Sequence, residues 1–319
     1  MPGLTRREFL VGSGAVMAVS GLPHLAFANP LYPPTDLSYF DTPISKAPGR
    51  IHIGYAAITW NGQDRQAIDD VAALGFRGIQ LRSNVLKEFS DNPAEVRDLL
   101  AQHKLTFVAL SSGGVSPDPA KADSQFEMHS RNAKFLHDAG GLYLQLTDDR
   151  PKGRDVTPDD YKHAGELMNR IAKYATDLGI QVGYHNHMGS MGETPQGVAS
   201  MLAATDPRYI KLELDIAHYF QGGGDPAAAI HQYHERLLFL HIKDVLPKAA
   251  AANPHDAYQF VELGQGKVNI PAVFDALKQV KFRGWAVVEL DGERDAQRTP
   301  RESAEISKKF IEERLGLSV

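Results

Sequence analysis

A strict alternation of short apolar runs with helical patterns is the feature of this sequence that most constrains its fold. The apolar runs, interpreted as strands, are residues 52–58, 78–81, 106–110, 142–146, 181–184, 210–214, 237–240 and 285–290. Between them lie the helix-starting residues Asn92, Thr157, Thr194 and Thr299, each followed by proline. Gly75 and Gly179 stand where helices are expected to end. Repeated strand and helix units predict a closed barrel of eight parallel strands, a (β/α)8 fold, rather than an open doubly wound sheet.

The first 50 residues differ in character from the rest of the chain. The pair Arg6-Arg7, an apolar stretch over 10–22 and the small-residue site Ala26-Phe27-Ala28 predict a twin-arginine export signal over residues 1–28. A membrane anchor is the weaker interpretation, because the apolar stretch is short and interrupted by Gly and Ser. Residues 29–50 are rich in proline and predict an extended arm, which leaves 51–319 as the barrel domain. We therefore expect a periplasmic protein with no membrane span after cleavage of the signal.

Composition narrows the expected metals and partners. The chain has no cysteine, so a metal site must use His, Asp and Glu, which suit Mn, Mg, Co or Zn. The formal net charge is -5 and Lys and Arg form no long run, so nucleic acid is not an expected partner. The first predicted strand is not followed by a glycine-rich dinucleotide motif. The expected partner is a small molecule.

Polar side chains are concentrated where the predicted strands end, which is where the chemistry of such barrels occurs. In strand order they are Trp60; Gln80 and Arg82; Ser111 and Ser112; Gln145, Thr147 and Asp148; His185, Asn186 and His187; Glu213, Asp215 and His218; His241, Lys243 and Asp244; Glu289 and Asp291. Side chains alternate along a strand, so residues two apart, such as His241 and Lys243, point to one side. Burying this many ionisable groups is costly unless a cation compensates them, so a divalent metal ion is expected.

Each of these residues also has an ordinary structural interpretation. A His at a strand end is more often structural than a metal ligand. Lys243 could extend its amine to solvent, and Arg82 could hold a neighbouring loop. We expect Glu213 and Asp291 to be solvated charges at the barrel rim. The joint placement of the residues therefore carries more weight than any one of them.

Several sequence motifs, in a fixed order, resemble a known family. They are GFRGIQLRSN, YHNHMG, LELDIAHYFQGGGDP, LHIKDV, VELGQGKVNIPAVFDAL and WAVVELD. Together they resemble the xylose-isomerase-like TIM-barrel family, often called sugar phosphate isomerases/epimerases. The YHNH, HIKD and GQGKVNIP stretches are most similar to its inosose-dehydratase-like branch. The resemblance implies one divalent metal ion bound by Asp215, His241 and Glu289, with His185 at the fifth-strand position where ketose epimerases have Glu.

The resemblance also implies roles for residues around the metal. The Asp-x-x-His pattern makes His218 an expected contact of a substrate hydroxyl, and His-x-Lys-Asp makes Lys243 an expected acid or base. Glu289 is the expected proton acceptor, and His187 is a candidate to assist a leaving group. At the strand ends, the further candidates for binding substrate are Arg82, Gln145 and Trp60.

The chemistry that the resemblance implies is removal of a proton next to a carbonyl. Epimerases of the family use two opposed Glu residues, and His185 breaks that pair, so β-elimination from a keto-sugar or keto-glycoside is slightly favoured over isomerisation or epimerisation. Export makes a sugar phosphate a less expected substrate. A periplasmic sugar-binding protein and a metallohydrolase are the alternatives from other classes. Segment 245–264 is interpreted as a lid or as a disordered insertion, and the sequence leaves open the sugar, the metal and a homo-oligomeric state.

Overall fold

Eight parallel strands close into a barrel in the computed structural model, which describes residues 51–248, 257–291 and 298–319. The strands of the described ranges are β1 (Ile51–Ala56), β2 (Gly78–Arg82), β3 (Thr106–Val115), β4 (Tyr143–Asp148), β5 (Gln181–His185), β6 (Ile210–Asp215), β7 (Leu237–Ile242), β8 (Asp244–Pro247), β9 (Tyr258–Val261) and β10 (Gly284–Val288). The barrel order is β1-β10-β7-β6-β5-β4-β3-β2. The predicted (β/α)8 barrel is confirmed, and each predicted apolar run overlaps one barrel strand.

Two of the predicted segments lie outside the described residues. They are the export signal over 1–28 and the arm over 29–50, and residues 249–256 and 292–297 lie outside as well. None of the helices within the described ranges is both long enough and apolar enough to cross a membrane.

The helices begin where the sequence supplies caps. They are α1 (Asp64–Ala73), α2 (Leu86–Phe89), α3 (Pro93–Gln102), α4 (Ala122–Asp138), α5 (Pro158–Asp177), α6 (Pro195–Ala204), α7 (Ile216–Gln221), α8 (Pro226–Tyr233), α9 (Ile270–Gln279) and α10 (Pro300–Leu315). Thr157 and Thr299 form capping boxes, and Thr194 accepts a hydrogen bond from the Gly197 amide. These bonds satisfy amides that the first helical turn leaves without partners, so helix starts after Thr-Pro were predictable.

The barrel interior has an apolar layer with polar groups directly above it. Phe239 and Val287 belong to a buried apolar cluster that also contains Val108. His241 follows Phe239 by two residues, and Glu289 follows Val287 by two residues. Because strand side chains alternate, each polar group points to the same side as the apolar residue below it. The apolar layer thus forms the floor of the polar end of the barrel.

Segment 245–264 is not a structureless insertion in its described part. Strands β8 and β9 pair antiparallel, from Asp244 opposite Val261 to Pro247 opposite Tyr258. Residues 249–256, between the two strands, are outside the described ranges. The sequence analysis did not predict this hairpin.

Candidate active site

Four buried side chains from four barrel strands meet at the carboxyl end of the barrel. His185 ends β5, Asp215 ends β6, His241 lies in β7 and Glu289 follows β10. Each offers one ligand atom, and these four atoms lie within 4.8 Å of one another. His241 Nδ1 is 3.0 Å from Glu289 Oε2 and 3.8 Å from Asp215 Oδ2. Two imidazoles and two carboxylates at this spacing form a donor set for a divalent cation.

Polar atoms without hydrogen bonds indicate that this donor set fits a cation. Within the described part of the chain, His185 Nδ1, Asp215 Oδ2 and His241 Nδ1 are buried and make no hydrogen bond, although each has an oppositely charged group 3.0 to 3.4 Å away. Buried polar atoms nearly always have a partner, so such atoms side by side point to a ligand of another kind. A divalent metal ion would complete the coordination of these atoms.

Glu213 forms a layer directly beneath the donor set. Its Oε1 accepts a hydrogen bond of 2.7 Å from Gln145 Nε2 and lies 2.9 Å from His241 Nε2. The same His241 Nε2 is 2.8 Å from Gln80 Oε1. His241 therefore donates its Nε2 proton downward, which leaves Nδ1 as the nitrogen that can bind a cation.

The expectation that Glu213 is a solvated rim charge is wrong. Its side chain has 0% of its surface exposed. Glu213 stands two residues before Asp215 on β6, so both side chains point into the barrel. The same alternation that placed Asp215 at the site could have placed Glu213 there.

Opposite charges determine the pKa values of the donor set. Burial alone would raise the pKa of Asp215 and of Glu289, but nearby cationic groups, above all Lys243 for Asp215 and His241 for Glu289, hold both well below the usual range. Burial alone would lower the pKa of His241, but the charges of Glu213 and Glu289 raise it well above its usual value. The carboxylates are therefore ionised at neutral pH, as cation binding requires, whereas His241 must lose its Nδ1 proton when a metal ion binds.

Lys243 lies completely buried among three carboxylates. Its Nζ is 3.2 Å from Asp215 Oδ2, 2.5 Å from Glu289 Oε2 and 3.1 Å from Asp291 Oδ1. Burial would lower the pKa of Lys243, but these carboxylates raise it well above its usual value. The interpretation that Lys243 extends its amine to solvent is wrong, and Asp291 pairs with it instead of being an isolated rim charge.

His218 supports Lys243 from the side. Its Nε2 lies 3.3 Å from Lys243 Nζ, and its Nδ1 lies 3.0 Å from Gln221 Oε1. The side chain is buried, and burial holds its pKa well below the usual value. His218 is not among the described residues that line the cavity, although the sequence predicted that it contacts a substrate hydroxyl.

A cavity of about 350 Å³ opens above the donor set. Of the residues that the sequence assigned to metal binding, substrate binding or catalysis, those that line the cavity are Arg82, Gln145, His185, His187 and Glu289. The expected base therefore has direct access to a ligand in the cavity, whereas Asp215, His241 and Lys243 lie below its floor.

Trp60, which the sequence predicted to bind substrate, is not among the described residues that line the cavity. It lies in a 3-10 turn, Ala57–Trp60, and is only 2% exposed. Its Nε1 donates a 2.8 Å hydrogen bond to Asp70 Oδ2, and its ring packs edge-on against Tyr55. The turn after β1 rotates the indole toward α1 and the core, where its N–H finds a buried partner.

Sequence reasoning missed the function of Asp148, which holds the loop that carries His187. Its carboxylate accepts hydrogen bonds from Tyr184 Oη (2.7 Å), Ser190 Oγ (3.2 Å) and the amides of Met191 (2.5 Å) and Gly192 (3.2 Å). Burial raises the pKa of Asp148, although these hydrogen bonds oppose the change. Asp148 thereby fixes the loop whose residues 187–190 line one side of the cavity. The sequence placed Asp148 at the end of the fourth strand but did not indicate which loop it holds.

Known proteins share this barrel. A family model described as xylose isomerase-like TIM barrel matches residues 68–313. An inosose dehydratase of Geobacillus kaustophilus is 24% identical over 301 residues, which cover 84% of this chain and 96% of the relative. A solved D-allulose 3-epimerase of Methylomonas sp. in complex with D-allulose has a TM-score of 0.69 at 21% identity, covering 84% of this chain and 98% of that one. The IolI protein with a bound zinc atom has a TM-score of 0.68 at 16% identity, covering 82% and 97%.

Proposed function

The chain belongs to the xylose isomerase-like TIM-barrel family, and from that premise we propose that it is a metal-dependent enzyme that removes the proton next to the carbonyl of a keto-sugar or keto-glycoside. β-Elimination is the favoured outcome, and isomerisation or epimerisation is the second candidate. The observation that carries the proposal is the buried donor set, which reaches a polar cavity through His185 and Glu289. An inosose dehydratase and a D-allulose 3-epimerase among the similar proteins support this class of reaction.

The residues at the floor of the cavity are assigned to metal binding and to proton removal. A divalent cation held by His185, Asp215, His241 and Glu289 would supply a Lewis acid for the carbonyl oxygen of the substrate. Glu289 is the base, because its carboxylate is ionised and lines the cavity. Lys243, 2.5 Å from Glu289 Oε2, fixes that carboxylate from below. A fixed base close to the reacting carbon avoids the entropy cost of bringing the two together.

His187 occupies the wall beside the base. Its Nδ1 lies 2.6 Å from the Met188 carbonyl oxygen, so Nδ1 carries a proton and Nε2 is left to face a ligand. Burial, together with the charges of His185 and Lys243, lowers the pKa of His187. His187 is therefore neutral at pH 7 and suited to exchanging a proton with a hydroxyl or a leaving oxygen.

The described lining of the cavity does not offer the pair of glutamates expected of the family's epimerases, and this favours elimination over epimerisation. Among the described lining residues Glu289 is the one glutamate, and Glu213 lies beneath the donor set without access to the cavity. Epimerisation needs a second base on the opposite face of the carbon, whereas elimination needs one base and a leaving group. The presence of epimerases among the similar structures keeps epimerisation as the second candidate.

The experiment that tests this proposal is deuterium exchange at the carbon next to the carbonyl, followed by NMR in heavy water. Wild-type protein should exchange this proton in at least one member of a panel of keto-hexoses, keto-glycosides and inososes. Glu289→Gln keeps the size and one oxygen but removes the base, so exchange should fall about 10²- to 10⁴-fold.

Glu305→Gln on α10, an exposed position, is the matched control and should exchange at the wild-type rate. Absence of exchange by wild-type protein across the panel would contradict the proposed chemistry. Exchange that survives Glu289→Gln would move the base to Lys243 or His187.

We also propose export by the twin-arginine route, supported by the sequence of residues 1–28. Replacing the pair by Arg6→Lys with Arg7→Lys should leave the protein in the cytoplasm, measured by cell fractionation. Accumulation in the periplasm at the wild-type level would contradict this route.

A further inference from the structure

A second polar space continues outward from the cavity above the donor set. This groove has a volume of about 1120 Å³, against about 350 Å³ for the cavity. Both spaces are lined by Asp149, Arg150 and Gly189, so they adjoin across one shared boundary. Ligand pockets for small molecules have volumes of about 300–1,000 Å³, so the cavity alone is at the lower end of that range. The two spaces together exceed what one sugar ring needs.

The boundary between the two spaces is held in a fixed position. Arg150 Nη1 donates to Glu193 Oε1 at 2.7 Å, and Glu193 Oε2 accepts from the Gly189 amide at 3.1 Å. The loop that contains both Gly189 and Glu193 is itself held by Asp148. The passage between cavity and groove is therefore built into the fold.

The groove is lined by charges that balance. Its described lining includes four aspartates, Asp118, Asp149, Asp159 and Asp160, and four cationic side chains, Lys121, Arg150, Lys152 and Arg154. Arg154 donates two hydrogen bonds, of 2.7 and 2.6 Å, to the Asp160 carboxylate, so these two charges neutralise each other. A balanced set of donors and acceptors suits neutral hydroxyl groups, whereas an anion would require a surplus of cations.

We infer that the substrate is a glycoside whose oxidised ring occupies the cavity and whose second sugar unit occupies the groove. This inference rests on the proposed function and adds the substrate class to it. The leaving group of the elimination is then the second sugar, which departs into a preformed polar space. Lys152 and His163 line the groove but not the cavity, and they bind the hydroxyls of the leaving sugar.

The position of the ketone follows from the chemistry of the elimination. The glycosidic oxygen is on C1, so it is β to a carbonyl only when the ketone is at C3. The base takes the proton from C2, the C1–O bond breaks, and a C1–C2 double bond forms. The departing alkoxide gains a proton and leaves as an alcohol. The step is redox-neutral and needs no further reactant.

The experiment compares 3-keto-cellobiose with 3-keto-glucose, using C2 deuterium exchange and product release. The wild-type protein should have a higher kcat/KM for the disaccharide. The double variant Lys152→Ala with His163→Ala should lower that value about tenfold, because two hydrogen bonds to the leaving sugar are lost. Its kcat/KM for 3-keto-glucose should stay within about twofold of wild type, since hydrogen bonds outside the cavity are not used by that substrate. Lys173→Ala, exposed on the same helix α5 as His163, is the control and should change neither value.

Equal effects of the double variant on both substrates, or no wild-type preference for the disaccharide, would overturn the inference while leaving the proposed function in place. Calorimetric binding of unoxidised cellobiose and glucose tests the groove independently of the proposed reaction. If neither keto substrate exchanges its proton, the proposed reaction fails. Binding of cellobiose that is tighter than that of glucose and is weakened by the double variant would still support the groove as a disaccharide site. Equal binding of the two sugars, or binding unaffected by the variant, would overturn it.

Discussion

The chain buries carboxylates in two different ways, and the contrast separates positioning residues from ligand-binding ones. Asp148 and Asp244 are surrounded by hydrogen-bond donors of the fold. Asp244 accepts from the amides of Val245, Gly264, Gly266 and Val268, at 2.9 to 3.0 Å. Asp215 and Glu213 are faced by cationic side chains: Asp215 Oδ2 lies 3.2 Å from Lys243 Nζ, and Glu213 Oε1 lies 2.9 Å from His241 Nε2.

The two pairs also differ in the direction in which their pKa values move. Burial raises the pKa of Asp148 and Asp244 despite their hydrogen bonds. For Asp215 and Glu213 burial acts in the same direction, but the neighbouring cationic groups reverse it and lower both pKa values. Amides that point at a carboxylate fix a loop. Cationic side chains around buried carboxylates keep them ionised, which is the form that binds a metal ion.

The largest expected difference between the two kinds of carboxylate is in metal content after a metal-ligating side chain is removed. Purified wild-type protein should contain about one divalent ion per chain, because a four-ligand set supports one site. Asp215→Ala and His241→Ala should each leave close to none, measured by elemental analysis. Asp148→Asn is the matched control. It should keep the ion while losing about 1–3 kcal/mol of unfolding free energy, because its loop amides lose a charged acceptor. Full metal content in both ligand variants would show that the donor set is wrongly assigned.

Glu213 is as deeply buried as the metal-ligating residues but is not one of the four donor residues, so its substitution tests whether it supports metal binding. Glu213→Gln keeps the shape but removes the charge that orients His241, 2.9 Å away. Partners that orient a metal-bound histidine contribute about 10- to 100-fold to metal affinity, so the Kd should rise by that factor. Competition with a chelator measures it, with Asp244→Asn as the variant expected to leave Kd unchanged. An unchanged Kd in Glu213→Gln would place Glu213 among the structural carboxylates.

The fold was predictable because local signals agreed with the global arrangement. Apolar runs predicted the barrel strands, and Thr157 and Thr299 predicted helix starts that the structure confirms. Alternation along a strand also explains why His241 and Lys243, or Glu213 and Asp215, share a side. The same alternation, applied to β6, would have placed Glu213 inside the barrel and not at its rim.

The remaining features depend on distances that sequence spacing does not encode. The Trp60 side chain points toward the core, where its N–H donates to Asp70 on α1. Strand periodicity does not predict this contact. The groove joins Lys152, on a loop, to His163, on α5, and neither position carries a periodic signal. Residues brought together by loops and helices of different units become visible only in the folded chain.

Asp64 is a third case of a buried carboxylate, held within the described residues neither by several backbone amides nor by a cationic side chain in an ion pair. Its substitution is expected to have the smallest effect of those considered. Asp64 is 8% exposed at the start of α1, and Asn84 Nδ2 donates one hydrogen bond of 2.7 Å to it. Burial raises the pKa of Asp64 to about 6, with a further increase from Glu88 and opposition from Asn84 and Arg82. The protonated form is therefore the one that folding favours. Its contribution to stability is fully present below about pH 4 and is lost as the pH rises through about 6.

Asp64→Asn should remove this pH dependence, because an amide stays neutral and can still accept from Asn84. The shift of about two pKa units corresponds to at most about 3 kcal/mol, and solvent near the partly open site reduces this to about 1–2 kcal/mol. Urea unfolding at pH 4 and pH 7 should therefore show the variant gaining stability over wild type at the higher pH. Asp177→Asn, exposed at the end of α5, should follow wild type at both values. If Asp64→Asn also follows wild type, the surroundings of Asp64 stabilise its charge, and it belongs with the carboxylates that the fold supports.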